Sequence, residues 1–228
     1  MKAMILAAGR GERMRPLTDH TPKPLLLVAG RPLIVHHLEK LARAGYREIV
    51  INLAHLAAKI PAALGGGRRW GLRIRYLREP PGALETGGGI VNALPWLGER
   101  FLVINGDVWT DHPLTPPRMA STALAHLVLV DNPPHHPHGD FALEGGRLKP
   151  QGGERLTFAG IGWYHRALFA TRPKGRHPLA PWLRAAIARR RVTGEHHRGR
   201  WTDVGTPRRL HELDLELGTR RCGAGVSA

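Results

Sequence analysis

Apolar positions along the chain fall into short blocks whose spacing alternates between a strand-like and a helix-like period. Residues 3–7 form an apolar run that predicts a first strand. Over residues 32–44, Leu33, Ile34, His37, Leu38, Leu41 and Ala42 share one face at the 3.6-residue period, which predicts a helix. Pro32 suits its first turn and Gly45 its stop. Further strands are expected over 48–52, 72–77, 101–105 and 125–130, with a helix over 88–94 between the middle two. A β-α-β-α order of this kind implies a parallel sheet buried between helices on both faces.

The second half is less regular. Residues 132–139 are crowded with proline and histidine and are expected to form a loop. A hairpin over 141–143 and 147–149 is expected around Gly145-Gly146, followed by a strand over 156–164 and helices over 178–190 and 207–217. Residues 1–217 are expected to form one domain and 218–228 a flexible tail.

Composition narrows the class. The chain has 228 residues, of which 42% are hydrophobic and 23% charged, which excludes a largely disordered protein. Its apolar runs are far shorter than the roughly 20 residues a bilayer span needs. The start lacks the pattern of a secretory signal, and a single cysteine, Cys222, rules out an intrachain disulfide. A cytoplasmic location without membrane contact is therefore expected. Lys and Arg number 34 against 18 Asp and Glu, a net charge of +16. Such an excess favours anionic partners: nucleic acid, phosphorylated metabolites or an anionic membrane surface. The arginines are scattered and aromatics make up only 6%, so no nucleic-acid-reading surface is evident and none is expected.

Several segments carry candidate chemistry. Leu6-Ala7-Ala8-Gly9-Arg10-Gly11-Glu12-Arg13 directly follows the first strand, where open α/β sheets bind ligands. Small residues at Ala8, Gly9 and Gly11 let backbone N–H groups approach phosphate oxygens, and Arg13 and Arg15 add positive charge. Neither common phosphate motif is present: no Lys-Ser/Thr pair follows the glycines, and Met14 occupies the third small position of a dinucleotide fingerprint. Lys23 lies between Pro22 and Pro24, whose rings restrict the backbone and fix where its charge points. Glu85-Thr86-Gly87-Gly88-Gly89 opens a helix with glycines that admit a flat ring or a phosphate. Asp107 stands at the exposed end of a buried strand and suits Mg²⁺, while Asp203 either caps locally or joins it. His135-His136-Pro137-His138 reads as a rigid loop, with a histidine metal site as the alternative.

Taken together, GxGxRMRPLT, PKPLL, NGD and DVGT resemble the sugar-1-phosphate nucleotidyltransferases, across roughly residues 1–217. LETGGGI, NGDVWTD, HGDF, LTFAGI and GEHHRGRWTDVGT are similar to the branch that joins UTP to N-acetylmuramate α-1-phosphate in peptidoglycan recycling. The resemblance implies a Rossmann-like, three-layer α/β fold with a mixed, mainly parallel sheet. It implies Arg13 and Lys23 as catalytic residues, and Ala8, Gly9, Gly11, Glu85, Thr86, Gly87 and Gly88 around the nucleotide. It further implies Asn105, Gly139, Asp140, Phe158 and Ala159 around the sugar, with Asp107 and Asp203 as ligands of Mg²⁺. His196 and Arg198, close to Asp203 in sequence, are candidates for charge near the lactyl carboxylate of a muramate sugar. UTP and a sugar 1-phosphate are the expected partners of a monomer or weak homo-oligomer. Sister enzymes that use mannose-1-phosphate with GTP, or glucose-1-phosphate with dTTP, are the alternatives, and a basic nucleic-acid-binding module is the non-enzymatic one.

Overall fold

The apolar blocks become strands of one large sheet in the computed structural model, which describes residues 1–80, 82–150 and 152–223. The first part of the chain forms β1 (Lys2–Leu6), α1 (Leu17–His20), β2 (Leu27–Val28), β3 (Arg31–Pro32), α2 (Leu33–Arg43), β4 (Glu48–Leu53), α3 (Lys59–Leu64) and β5 (Arg73–Arg78). There follow α4 (Glu85–Ala93), β6 (Arg100–Asn105), β7 (Val108–Thr110), β8 (Ala125–Val130), β9 (Phe141–Glu144), β10 (Arg147–Lys149) and β11 (Arg155–His165). The chain closes with α5 (Ala180–Ala188), β12 (Val192–His196), β13 (Trp201–Asp203) and α6 (Pro207–Gly223).

The main sheet runs β5-β4-β1-β6-β11-β8-β12-β10-β9. Pairing is parallel from β5 through β4 and β1 to β6, and again between β8 and β12. The long β11 runs antiparallel between β6 and β8, and the β9–β10 hairpin closes the far edge. The sheet is thus mixed, with the parallel ladder in the half where strands and helices alternate in sequence.

Both faces are covered because each central strand is apolar on both sides. Ala3 and Ile5, Ile49 and Ile51, and Leu102 and Ile104 pack with Ile34, Leu38 and Leu41 of α2 and Ile60 and Leu64 of α3. The alternating residues Met4, Val50, Phe101 and Val103 pack with Ile90 and Val91 of α4 and Leu183 and Ile187 of α5. This three-layer arrangement removes both faces of the strands from water. A smaller cluster of Met14, Val28, Leu33, Val204 and Leu213 seats α6 against the loops beside the sheet.

Several features differ from the sequence expectations, beginning with the short elements α1, β2, β3 and α3, which were not expected. Helix α4 begins at Glu85, earlier than residue 88. Helix α6 runs on to Gly223, through part of the expected tail, and residues 224–228 lie outside the described residues. Strands β7, β12 and β13 were not expected, because Val-Trp-Thr, Val-Thr-Gly-Glu-His and Trp-Thr-Asp are short and lack a clear apolar alternation.

His37, expected on the buried face of α2, is 2% exposed. Burial pushes it down to about 3, helped by the nearby Lys40 and His36 charges; a hydrogen bond with the Val108 backbone opposes the shift. Because the folded state holds His37 neutral while the unfolded chain protonates it near pH 6.5, the unfolded state binds more protons between those values, and stability falls as pH drops through that window. The slope from this residue is up to about 1.4 kcal/mol per pH unit. A His37→Leu variant should show a flatter loss of unfolding free energy in urea between pH 6 and pH 4 than the parent. Identical slopes would assign the acid limb to other groups.

Candidate active site

The carboxyl ends of β1, β4 and β6 lie side by side, because Leu6 is in register with both Asn52 and Asn105. A cleft of about 830 Å³ opens there. Its floor and walls include Ala8, Gly9, Gly11 and Arg13 from the loop after β1, Lys23, Asn105 and Asp107, and Glu85 and Thr86 from the start of α4. Gly11 has a φ of +67°, and a Cβ there would come within 3.0 Å of Thr18 and 3.4 Å of Lys23. Glycine is thus what lets the loop turn back tightly over the lysine. Met14, fully buried, anchors the loop, whereas Arg13 projects exposed from it.

The charged groups meet in a defined arrangement. Lys23 Nζ donates to Asp107 Oδ2 at 2.7 Å. Strand β13 pairs antiparallel with β7, and the Val204 N–H donates to the Asp107 carbonyl at 2.7 Å, so Asp203 and Asp107 issue from adjacent backbones. Asp203 Oδ1 is held by Arg209 at 2.5 Å and by His135 at 3.0 Å. Its Oδ2 lies against Gly205, which lines the cleft. Among the described residues, Asp107 Oδ1 and Asp203 Oδ2 carry no hydrogen bond, so each carboxylate keeps one oxygen for a cation. No group of three or more His, Cys, Asp or Glu side chains able to hold a metal ion occurs among the described residues. A hard cation at this site would therefore take two protein oxygens and complete its shell with phosphate oxygens and water, which suits Mg²⁺. Beneath β7, Lys40 donates to the Thr110 carbonyl, and burial lowers its pKa to about 8.

Of the expected sugar-side residues, Asn105 lines the cleft, while Asp140 and Phe158 are tied to each other at the neighbouring β11. The Phe158 N–H donates to Asp140 Oδ2 at 2.8 Å, joining the 139–140 turn to β11. A bulge between Phe158 and Gly162 distorts β11, and a Cβ on Gly160, at φ +72°, would lie 2.6 Å from Asn105 Nδ2. Ala159 is buried, and its carbonyl accepts from Trp201 Nε1 at 2.9 Å, so that residue supports β13 rather than facing the cleft.

Other candidates serve different ends. A Cβ on Gly87 would meet Trp182 and the His177 carbonyl, and one on Gly88 would overlap the Gly175 carbonyl at 1.9 Å. These glycines admit the 175–178 segment, whereas Glu85 and Thr86 face the cleft. His196 pairs with Asp131 at 2.8 Å, and Arg198 is exposed. Neither pairs with Asp203, because β12 belongs to the main sheet and β13 to a separate ribbon with β7. His135 and His136 engage separate carboxylates, Asp203 and Asp140, and do not converge on one ion.

Sequence reasoning missed a buried relay along one wall. The Ala7 N–H donates to Asn52 Oδ1 at 2.8 Å, Asn52 Nδ2 donates to Glu79 Oε1 at 2.7 Å, and the Leu84 N–H donates to Glu79 Oε2 at 2.8 Å. Asn52 is 3% exposed and Glu79 is 9% exposed. The one available signal was a polar residue near the carboxyl end of the buried β4, with an acidic one just past the edge strand β5. Arg176 also lines this wall and pairs with Glu85 at 2.9 Å.

Comparison with known proteins adds to this geometry. Residues 2–141 match the family model described as nucleotidyl transferase. An N-acetylmuramate alpha-1-phosphate uridylyltransferase of Neisseria meningitidis serogroup B is 54% identical, over 96% of this chain and 99% of the relative. One from Caulobacter vibrioides is 34% identical, over 90% and 92%. Among solved structures, a Bacillus anthracis chain assigned as a glucose-1-phosphate thymidylyltransferase, in complex with a sucrose, matches at a TM-score of 0.84 over 96% of this chain and 95% of its own. At 22% identity that likeness shows a shared fold.

Removing the centre of the relay should be felt in both stability and binding. Asn52→Ala strands the Ala7 N–H and one Glu79 oxygen, at about 1–3 kcal/mol for each unpaired buried group. Thermal unfolding should shift down by about 2–4 °C for each kcal/mol lost in a chain of this size, and the nucleotide KM should rise. An unchanged midpoint and KM would show the relay to be dispensable.

Proposed function

The chain belongs to the nucleotidyl transferase family, and from that membership we propose that it joins UTP and N-acetylmuramate α-1-phosphate to give UDP-N-acetylmuramate and pyrophosphate. The observation that carries the reading is the Lys23–Asp107 pair at 2.7 Å beneath the glycine-rich loop, within a cleft large enough for a nucleotide. Identities of 54% and 34%, over nearly the full length of two relatives named for this reaction, support the choice of substrates. The product is one that peptidoglycan recycling would use. No helix among the described residues is long and apolar enough to cross a membrane, in keeping with a cytoplasmic reaction on small substrates.

An oxygen of the sugar phosphate attacks the α-phosphorus of UTP in line and expels pyrophosphate. The nucleophile is already an anion, so the chain needs no general base. The obstacle is electrostatic: two anions must meet and a third must leave. Catalysis then rests on positioning and on cationic stabilisation. Arg13, exposed on its loop, would bind the β- and γ-phosphates and take up charge developing on pyrophosphate. Lys23, held between two prolines, would neutralise charge at the α-phosphate. Asp107 and Asp203 would hold Mg²⁺, which when bound offsets the repulsion between the two phosphates. Amides of the 8–13 loop would supply further donors, and Asn105 with the 139–140 turn and Phe158 would position the sugar.

Two experiments test this. Pyrophosphate release should be measured for a matrix of UTP, GTP, dTTP and CTP against several sugar 1-phosphates with Mg²⁺. UTP with N-acetylmuramate α-1-phosphate should turn over best, and equal use of N-acetylglucosamine-1-phosphate, which lacks the lactyl carboxylate, would remove the muramate assignment. In the second experiment, Asp107→Ala and Arg13→Ala should each lower kcat by about 10²–10³-fold, the effect of losing one strong transition-state contact. Circular dichroism should remain unchanged, and near-parental turnover in either variant would remove that residue's role.

A further inference from the structure

We infer that Arg176 sets the base preference of the cleft: by occupying one oxygen of Glu85, it turns a carboxylate suited to guanine into a donor–acceptor pair suited to uracil. The inference rests on the reading of the cleft as a nucleoside triphosphate site.

The ends of the cleft differ in charge. Three strand spacings separate β5 from β6, a distance of about 14 Å at about 4.8 Å each. Lys23 and Asp107 mark the β6 side, where the polyphosphate has cationic partners. Glu79 follows β5 and binds the Leu84 N–H, which brings Glu85 to the same wall. Both Glu79 oxygens are taken by Asn52 and the Leu84 N–H, so Glu85 is the carboxylate of this wall left to meet a ligand, and the N–H groups of a base are what it can bind.

Arg176 is fixed opposite Glu85 by backbone contacts. The His177 N–H donates to the Leu84 carbonyl at 3.0 Å, and the Gly88 N–H donates to the His177 carbonyl at 3.0 Å. These bonds dock the segment carrying Arg176 onto the start of α4 on both sides of Glu85. Arg176 Nε then donates to Glu85 Oε1 at 2.9 Å, and both residues line the cleft.

A lone carboxylate offers two adjacent acceptors, which match the N1–H and N2–H donors of guanine. Uracil instead presents one N3–H between two carbonyl oxygens. With Oε1 engaged, Oε2 remains as a single acceptor, and the guanidinium held at this carboxylate has further N–H groups to offer a uracil carbonyl. Thymine carries the same edge and is accepted equally at this contact. Cytosine, with a lone pair at N3, is not.

The test compares the parent with Arg176→Ala and Arg176→Gln, using UTP, GTP and dTTP with one sugar 1-phosphate. The Arg176 side chain is 69% exposed, and thermal unfolding checks that the fold persists. Loss of a charge-assisted contact should lower kcat/KM for UTP by about 10–100-fold, mainly through KM. The dTTP value should fall in parallel, and the GTP to UTP ratio should rise at least about tenfold. An unchanged ratio, or an equal loss across all three bases, would overturn the inference and leave Arg176 a structural contact. A parent enzyme that prefers GTP would overturn the proposed reaction as well, which separates the two failures.

Discussion

The salt bridge between Lys23 and Asp107 is the contact on which the site depends. It joins residues 84 positions apart, one on a proline-bounded turn and the other just past the end of a buried strand. The lysine side chain is 10% exposed and the carboxylate 40% exposed. The buried lysine charge would be poorly solvated without this partner, whereas the carboxylate also reaches water. The pair closes the glycine-rich loop over the end of β6 and leaves one Asp107 oxygen uncommitted. Strand β13 reaches the same place through its ladder with β7, so a second carboxylate arrives from the far end of the chain.

Around this contact the cleft is electrically polar. Its β6 side carries Lys23 with Asp107 and, through the β7–β13 ladder, Asp203, while its β5 side carries Glu79 and Glu85, tied to backbone amides and to Arg176. A nucleoside triphosphate has the same polarity, with a polyphosphate at one end and a neutral base at the other. The buried Asn52–Glu79 relay holds the carboxylate wall at a set distance from the loop after β1, so the two halves of the cleft are spaced by the sheet itself.

Part of the large positive charge serves the fold itself. Arg47, Arg69, Arg100, Arg166, Arg172 and Arg191 each donate to backbone carbonyls near turns and element ends. The guanidinium fork satisfies acceptors that would otherwise need water or a partner strand. These six arginines are accordingly spread over the fold rather than gathered into one basic face.

The parallel half of the sheet and helix α2 were legible in the sequence, because continuous apolar strands and a 3.6-residue stripe are local patterns imposed by burial. The glycine-rich loop, Lys23, Asp107 and Asn105 were legible too, since each sits immediately after a buried strand or between prolines, where neighbours in sequence dictate its place. What neighbours in sequence cannot state is which distant segments meet. The β7–β13 ribbon consists of two three-residue strands, too short to show a period and drawn from distant parts of the chain, so it took the fold to bring Asp203 beside Asp107 and to leave His196 on another sheet. Gly87 and Gly88 looked like room for a ligand and proved to be room for the 175–178 backbone. A missing side chain marks a close approach, and tertiary packing alone decides what approaches.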